Sequence, residues 1–118
     1  MKRRLVGVAA ALAAALAAVS LAFAGSTTLK ISASPTKLAY SKKLLKAPAG
    51  KVTIVMKNPS MLQHDVAIKL NGKVHKSNLV GHGGTAKLTL KLKAGTYTFY
   101  CTVPGHAAAG MKGKLVVK

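Results

Sequence analysis

An excess of positive charge dominates this sequence. Nineteen lysine and arginine residues face a single acidic residue in 118 positions, which gives a formal net charge of +18. The length leaves room for one small domain with a single core. The only cysteine, Cys101, excludes a disulfide within the chain.

The N-terminal segment has the organisation of a secretory signal peptide. Three basic residues at positions 2–4 precede an apolar run at 5–23, and Ala22-Phe23-Ala24 provides a small-x-small cleavage pattern. We expect residues 1–24 to be a signal peptide and residues 25–118 to be the exported domain. The predicted location is the periplasm or the extracellular face of the cytoplasmic membrane. The apolar run is longer than usual, so an uncleaved membrane anchor is the alternative.

Charge in residues 25–118 comes from lysine alone. This span has sixteen lysines, no arginine and one acid, Asp65, and its net charge is therefore +15. Nucleic-acid binding is disfavoured, because arginines for bidentate phosphate contacts are absent and aromatic residues for base stacking are few. Alternation of lysines along the predicted strands is typical of solvated faces. We expect the charge to attract an acidic redox partner or an anionic membrane surface.

Strand patterns follow one another through the whole domain. Apolar residues alternate with polar ones in short runs, and Asn58-Pro59-Ser60 and Asn71-Gly72 are stop and hairpin signals. The run at 64–70 should place His64 on the inner face and Asp65 on the outer face. Predicted strands lie at 29–31, 52–57, 64–70, 73–77, 87–93, 97–101 and 113–118.

About seven to eight short strands separated by glycine and proline predict an all-β, antiparallel β-sandwich. His64 begins an inward-facing series and Cys101 ends another. Both side chains should therefore project into the same end of the sandwich.

A group of soft metal ligands lies close together near the C-terminus. Cys101 is followed five positions later by His106 and ten positions later by Met111. Alone, the cysteine could be an inert buried thiol, part of an intermolecular disulfide or a metal ligand. Thiolate, imidazole and thioether groups together suit copper, and blue-copper sites take two histidines, one cysteine and a weak axial methionine. His64 is the predicted second histidine.

These residues carry a family resemblance. Segments 95–101, Pro104-Gly105-His106 and 110–113 closely resemble the copper loop of plastocyanin and its relatives. The four-residue gap between Cys101 and His106 is similar to that of auracyanin and halocyanin-type members. The resemblance covers roughly residues 51–118. It implies a Greek-key, cupredoxin-like sandwich and an electron exit through the His106 ring edge, surrounded by small apolar residues.

The resemblance also assigns roles around the site. The family commonly has asparagine at the position of Asp65, tied to a hydroxyl residue at the position of Thr102, so we expect these two side chains to be in contact. The alternative for Asp65 is a surface acid without a role. In plastocyanins a tyrosine at the position of Tyr100 marks a second docking surface flanked by acids, and this chain has no such acids.

Other candidate residues have simpler interpretations. His75 and His82 are expected to be ordinary exposed histidines, and Met56 and Met61 to be packing or surface residues. Taken singly, His106 could be a solvated loop residue and Met111 a core filler.

The resulting hypothesis is an exported, monomeric protein with one copper ion that cycles between Cu(I) and Cu(II). It would carry single electrons between larger redox proteins, with acidic cytochrome-like or oxidase-like partners and no nucleic acid. The alternative is a copper carrier or buffer without redox turnover. An enzyme is not expected, because catalytic copper needs further histidine clusters and a dinuclear electron-transfer centre needs a second cysteine.

Overall fold

A computed structural model describes residues 25–118. The predicted signal peptide, and its alternative as an anchor, lie outside the described residues. Within residues 25–118, no helix has the length and apolarity that crossing a membrane requires.

Eight strands form two sheets that pack face to face. A three-stranded sheet has the order β1-β3-β6, and a five-stranded sheet has the order β2-β8-β7-β4-β5. The all-β sandwich with seven to eight strands is therefore confirmed. The strands are β1 (Ser26–Ser32), β2 (Leu44–Ala47), β3 (Gly50–Lys57), β4 (Ala67–Leu70), β5 (Lys73–Lys76), β6 (Thr85–Leu92), β7 (Gly95–Tyr100) and β8 (Lys112–Val117).

The two-residue period of the sequence decides which side chains form the core. In β3, Val52, Ile54 and Met56 are buried while Lys51 and Lys57 are exposed. Strand β6 alternates in the same way, except that Leu90 is half-buried. Because successive side chains point to opposite faces of a sheet, each strand contributes one apolar row to the interior and one lysine- and threonine-rich row to the surface.

The sequence predicts an antiparallel sandwich, but two of its strand pairs are parallel. Strand β1 pairs with β3, and β2 with β8, in parallel, whereas the other pairs are antiparallel. A parallel pair needs a crossover connection. Here residues 33–49 leave the first sheet, contribute β2 to the second sheet and return to β3. The alternation of apolar and polar residues in the sequence does not indicate such a crossover connection.

Strand β4 begins later than its sequence pattern predicts. Val66, Ala67 and Ile68 are all buried, and His64 forms an isolated bridge with Val80 instead of starting the strand. The expectation that Asp65 lies on the outer face is wrong, because its side chain is only 2% exposed. Backbone bonds from His64 to Val80 and from Ser77 to Val66 hold this segment outside the regular alternation. The Asn71-Gly72 hairpin is confirmed, with positive φ at both residues.

The strand directions define two ends of the sandwich. Strand β3 runs from Gly50 to Lys57, and β7 runs from Gly95 to Tyr100, immediately before Cys101. Gly95 also pairs with Val117, while Tyr100 pairs with Lys112 at the start of the same strand. We call the two ends the Cys101 end and the Gly95 end.

Gly113 in β8 lies where there is little room for a side chain, so substituting it tests how tightly the five-stranded sheet packs. A Cβ atom at Gly113 would overlap the Phe99 ring and lie 2.7 Å from the Lys43 carbonyl oxygen. Because both neighbours are fixed, Gly113→Ala should lower the free energy of unfolding by about 1–3 kcal/mol. The measurement is urea denaturation of the metal-free protein.

Gly81→Ala is the matched control, since a Cβ atom there meets nothing within 4 Å. Equal stability of the two variants would contradict the packing described for β7 and β8.

Candidate metal centre

Three potential ligand atoms converge at the Cys101 end. The Nδ1 atoms of His64 and His106 are 3.2 Å apart. The Cys101 Sγ atom lies 3.9 Å from Nδ1 of His64 and 3.6 Å from Nδ1 of His106. His64 and Cys101 are buried, whereas the His106 ring is half-buried. The structure therefore brings together three of the four residues proposed from sequence as one metal-ligating cluster.

The spacing of these atoms fits a single metal ion. A point equidistant from all three would lie about 2.1 Å from each, close to the bond lengths of transition metals with imidazole nitrogen and thiolate sulfur. Two imidazoles and one thiolate also form the trigonal set that copper takes in electron-transfer sites. The types of donor atom and their spacing therefore both fit a single copper ion.

The fourth proposed residue, Met111, is fully buried beside the cysteine strand. The Cys101 amide donates to the Met111 carbonyl at 3.1 Å, and the Met111 amide donates to the His106 carbonyl at 3.0 Å. These bonds close residues 101–111 into a compact loop. Gly105 and Gly110 have φ of 85° and 119°, which side-chain-bearing residues rarely adopt, so the loop depends on both glycines.

Asn58 positions the segment that carries His64. Its buried side-chain amide donates to the carbonyl groups of Leu62 and Val80 at 2.7 and 2.9 Å. Its side-chain oxygen accepts bonds from the amide and the hydroxyl of Ser60. Val80 in turn exchanges two backbone bonds with His64. Asn58 therefore links the turn before the histidine to the neighbouring loop.

The sequence analysis treated Asn58 only as part of a strand stop and missed this role. The available signal was an asparagine two residues before a serine, a spacing that allows the side chain to organise a turn. Its contacts with Leu62 and Val80 depend on tertiary structure and were not readable from the sequence.

Asp65 connects the two halves of the site. Its carboxylate accepts a bond from the Thr102 amide at 2.7 Å and a second bond from the Thr102 hydroxyl. The expected contact between Asp65 and Thr102 is thus confirmed. The Tyr40 hydroxyl donates to the Asp65 carbonyl at 2.7 Å and anchors the same residue from the core. Residues that follow the first histidine and the cysteine are therefore held together directly.

Burial shapes the proton affinities of the ligands. Burial raises the pKa of the Cys101 thiol, and backbone hydrogen bonds from Asp65 and Val103 to the sulfur partly oppose this. The pKa of His64 is lowered, first by burial and then by the neighbouring His106. His64 is therefore neutral and ready to bind a metal at neutral pH, whereas a metal must displace the thiol proton.

Other candidate residues remain outside this cluster. His82 is exposed, and its Nδ1 atom lies 3.1 Å from the Ser60 carbonyl oxygen. His75 is half-buried on β5, so the expectation that it is exposed is wrong. Met56 is fully buried in the core and Met61 is 82% exposed, as expected for packing and surface residues.

A comparison with known protein families identifies the family to which this chain belongs. The model of the copper-binding proteins of the plastocyanin/azurin family matches residues 27–118. The chain belongs to this family. Copper is therefore the cofactor of the chain, and the cluster formed by His64, Cys101 and His106 is the candidate site for it. Family membership also agrees with the prediction that the chain is not an enzyme.

Solved structures of family members share the fold over most of the chain. Auracyanin A from Chloroflexus aurantiacus, a blue copper protein, is 31% identical, with a TM-score of 0.71 over 80% of this chain and 100% of that chain. A reduced auracyanin from Roseiflexus castenholzii is 30% identical, with a TM-score of 0.71 over 80% of this chain and 99% of that one.

A sequence relative matches only in part. Rusticyanin from Acidithiobacillus ferrooxidans is 50% identical over 38 residues, which cover 32% of this chain. The aligned segment spans 24% of the rusticyanin chain.

Asn58 provides a test of the architecture around His64. Asn58→Ala would leave the buried carbonyl groups of Leu62 and Val80 without their side-chain donor. We expect a loss of about 1–3 kcal/mol in the free energy of unfolding, together with weaker copper binding. Chemical denaturation and competitive copper titration would measure the two effects.

Asn78→Ala is the matched control. Asn78 also bonds to backbone groups, of Thr85 and Lys87, but it is exposed, so water can replace its side chain. If the two variants lose stability and copper affinity equally, Asn58 has no special role in positioning His64.

Proposed function

We propose that this chain is a one-electron carrier in which His64, Cys101 and His106 would be the strong copper ligands and Met111 a weak fourth ligand. The observation that supports this most strongly is the convergence of the three donor atoms, with separations of 3.2, 3.6 and 3.9 Å. Bound copper would supply the couple between Cu(I) and Cu(II). Burial of Met111 beside Cys101 is consistent with its role as the weak fourth ligand.

The protein would contribute rigidity to electron transfer. His64 lies in a segment held by Asn58 and Val80, and the Asp65–Thr102 contact joins this segment to the cysteine loop. Because the ligands are held by the fold, their positions need change little when the charge of the metal changes. Backbone hydrogen bonds to the Cys101 sulfur would further stabilise the thiolate.

Electrons would enter and leave through the exposed edge of His106. Its ring is half-buried, whereas Pro104, Gly105 and Ala108 around it are exposed. Met61 and Leu62, which line a cleft together with His64, add large exposed apolar side chains. We call these six residues the His106 patch. Its small, mostly uncharged side chains would let a redox partner approach the copper closely.

We also propose where the domain functions and in which oligomeric state. We propose that residues 1–24 act as a signal peptide and that residues 25–118 function as a monomer in the periplasm or at the extracellular face of the cytoplasmic membrane. Acidic redox proteins of the cytochrome or oxidase type are the proposed partners, since the exported domain carries a net charge of +15. The alternative, a copper carrier without redox turnover, makes a different spectroscopic prediction.

Absorption and paramagnetic-resonance spectra of the copper-loaded protein separate the two functions. A carrier of electrons should show strong thiolate-to-copper absorption that ascorbate removes and reoxidation restores. Cys101→Ser should abolish this absorption, because a hydroxyl is a hard, weakly acidic replacement for the thiolate. Met111→Leu should keep the colour and raise the reduction potential, because losing an axial donor destabilises the oxidised ion.

His75→Ala is the matched control for a ligand substitution, since His75 lies on β5 outside the cluster. A coloured serine variant would refute the ligand assignment. A colourless wild-type protein that binds only one oxidation state would favour the carrier.

The His106 patch predicts how transfer depends on salt. Rates with an acidic cytochrome should fall by roughly 10-fold or more as ionic strength rises, because exposed charges are screened beyond a Debye length. Ala108→Lys should slow transfer several-fold even at high salt, by holding the partner away from His106. Stopped-flow reduction across a salt series measures both effects.

Thr96→Lys adds the same charge at an exposed residue near the Gly95 end, away from the His106 patch, and serves as the control. Equal slowing by the two substitutions at high salt would show that the His106 patch is not the contact surface.

A further inference from the structure

The methionines of the described residues differ in their exposure to solvent. Met56 and Met111 are 0% exposed, whereas Met61 is 82% exposed. A peroxide converts a thioether into a sulfoxide, and access to the sulfur helps to decide which methionine reacts. The only cysteine, Cys101, is 1% exposed. Within residues 25–118, Met61 therefore has the one sulfur atom that an oxidant in solution can reach directly.

Met61 lies in the wall of a cleft that borders a proposed copper ligand. The cleft has a volume of about 220 Å³, and we call it the His64 cleft. Its lining consists of residues 34–38, residues 60–62 and His64. The loop that carries Cys101 and His106 contributes nothing to this lining. Since Nδ1 of His64 faces Cys101 and His106, the ring borders the cleft with its opposite edge, which carries Nε2.

The Nε2 atom of His64 is a buried polar atom without a partner. Among residues 25–118, no group forms a hydrogen bond with it. A histidine that binds a metal through Nδ1 carries its hydrogen on Nε2, and such histidines almost always donate that hydrogen to an acceptor. Leaving a buried donor without an acceptor is unfavourable. An acceptor brought into the His64 cleft would therefore be bound there.

The serine side chains of the cleft wall already have partners. The Ser60 hydroxyl donates to the Asn58 side-chain oxygen at 2.7 Å, and the Ser60 carbonyl oxygen lies 3.1 Å from Nδ1 of His82. The Ser34 hydroxyl oxygen accepts two backbone hydrogen bonds. These groups are thus engaged elsewhere and do not serve Nε2 of His64.

We propose that Met61 is a site of reversible oxidation by hydrogen peroxide, and that its sulfoxide oxygen accepts the Nε2 hydrogen of His64. The sulfur lone pair attacks the peroxide, an S–O bond forms, the O–O bond breaks and water leaves. The sulfur is oxidised and the peroxide is reduced. The product is polar, and its oxygen is a hydrogen-bond acceptor. Because the methionine side chain is long and flexible, this oxygen can turn from solvent into the cleft that both residues line.

Such a contact would make the copper site respond to an oxidant. A hydrogen bond donated by Nε2 makes the imidazole a more basic ligand. A more basic ligand favours Cu(II) over Cu(I), since the ion of higher charge gains more from it. Oxidation of Met61 would therefore lower the reduction potential. The inference deepens the proposed electron-carrier function and rests on it for its meaning.

Mass spectrometry of peroxide-treated protein tests which sulfur atom reacts. The copper-loaded, oxidised protein is treated with hydrogen peroxide, and its peptides are weighed. The peptide with Met61 should gain one oxygen atom at least roughly 10-fold faster than those with Cys101 or Met111, because buried groups react only after local opening. Methionine sulfoxide reductase should remove the oxygen again. Equal rates at Met61 and Met111 would overturn the inference.

Nuclear magnetic resonance of the ascorbate-reduced protein tests the contact with His64. After oxidation of Met61, the Nε2 hydrogen of His64 should resonate further downfield and exchange more slowly with water. The reduction potential should fall, and the ratio of Cu(II) to Cu(I) affinity should rise roughly 3- to 10-fold. Met61→Gln, whose side-chain carbonyl is also an acceptor, should move the resonance in the same direction without peroxide.

A double variant that relocates the exposed thioether is the matched control. Leu44 is 53% exposed on β2 and does not line the His64 cleft. The variant Met61→Leu, Leu44→Met should gain its oxygen atom at position 44, with no change in the His64 resonance or in the potential. An equal fall in potential would show that oxidation acts without the His64 cleft and would overturn the inference.

Failure of this inference can be distinguished from failure of the proposed function. Reversible blue absorption, together with a His64 resonance that Met61 oxidation leaves unchanged, would reject the inference and leave the electron-carrier function intact. Absence of that absorption before treatment would instead reject the proposed function, and with it the role of the contact.

Discussion

Everything at the copper site depends on one contact between two distant parts of the chain. The carboxylate of Asp65 accepts both the amide and the hydroxyl hydrogen of Thr102. Asp65 follows His64 directly, and Thr102 follows Cys101, so the contact fixes one ligand relative to another that is 37 positions away. Without it the two segments would lose their side-chain link and would be joined by the Asp65 amide and the Cys101 sulfur.

A single carboxylate can hold the two segments together because it has two acceptor oxygen atoms and Thr102 offers two donors. The backbone of Asp65 takes part as well, since its amide bonds to the Cys101 sulfur and its carbonyl accepts from Tyr40. One residue thus links the core, the thiolate and the cysteine loop. The site is therefore an extension of the packed sandwich and not a flexible loop resting on it.

Much of this arrangement could be predicted from the sequence. Alternation of apolar residues indicated the strands, and the spacing of Cys101, His106 and Met111 indicated the copper loop. His64 was predicted because its strand pattern and that of Cys101 lead to the same end of a sandwich. The Asp65–Thr102 contact came from the family resemblance and not from either residue alone.

The remaining features depend on long-range structure that a local pattern does not contain. The crossover that makes β1 and β3 parallel involves residues 33–49, whose pattern matches the family only loosely. Asp65 was placed on the wrong face because strict alternation was extended through a segment that bridges to Val80. Asn58 was missed because its partners Leu62 and Val80 become neighbours only after folding.

The burial of the single acidic side chain also determines how the protein meets acid. Acid denaturation usually proceeds by protonation of carboxylates that stabilise the native state. Asp65 has the only such side chain in this chain, and its carboxylate accepts hydrogen bonds from two donors of Thr102. The surface of residues 25–118 otherwise carries lysines and no acidic side chain. Acid would therefore reach this molecule mainly through this one carboxylate and through competition between protons and copper for the ligands.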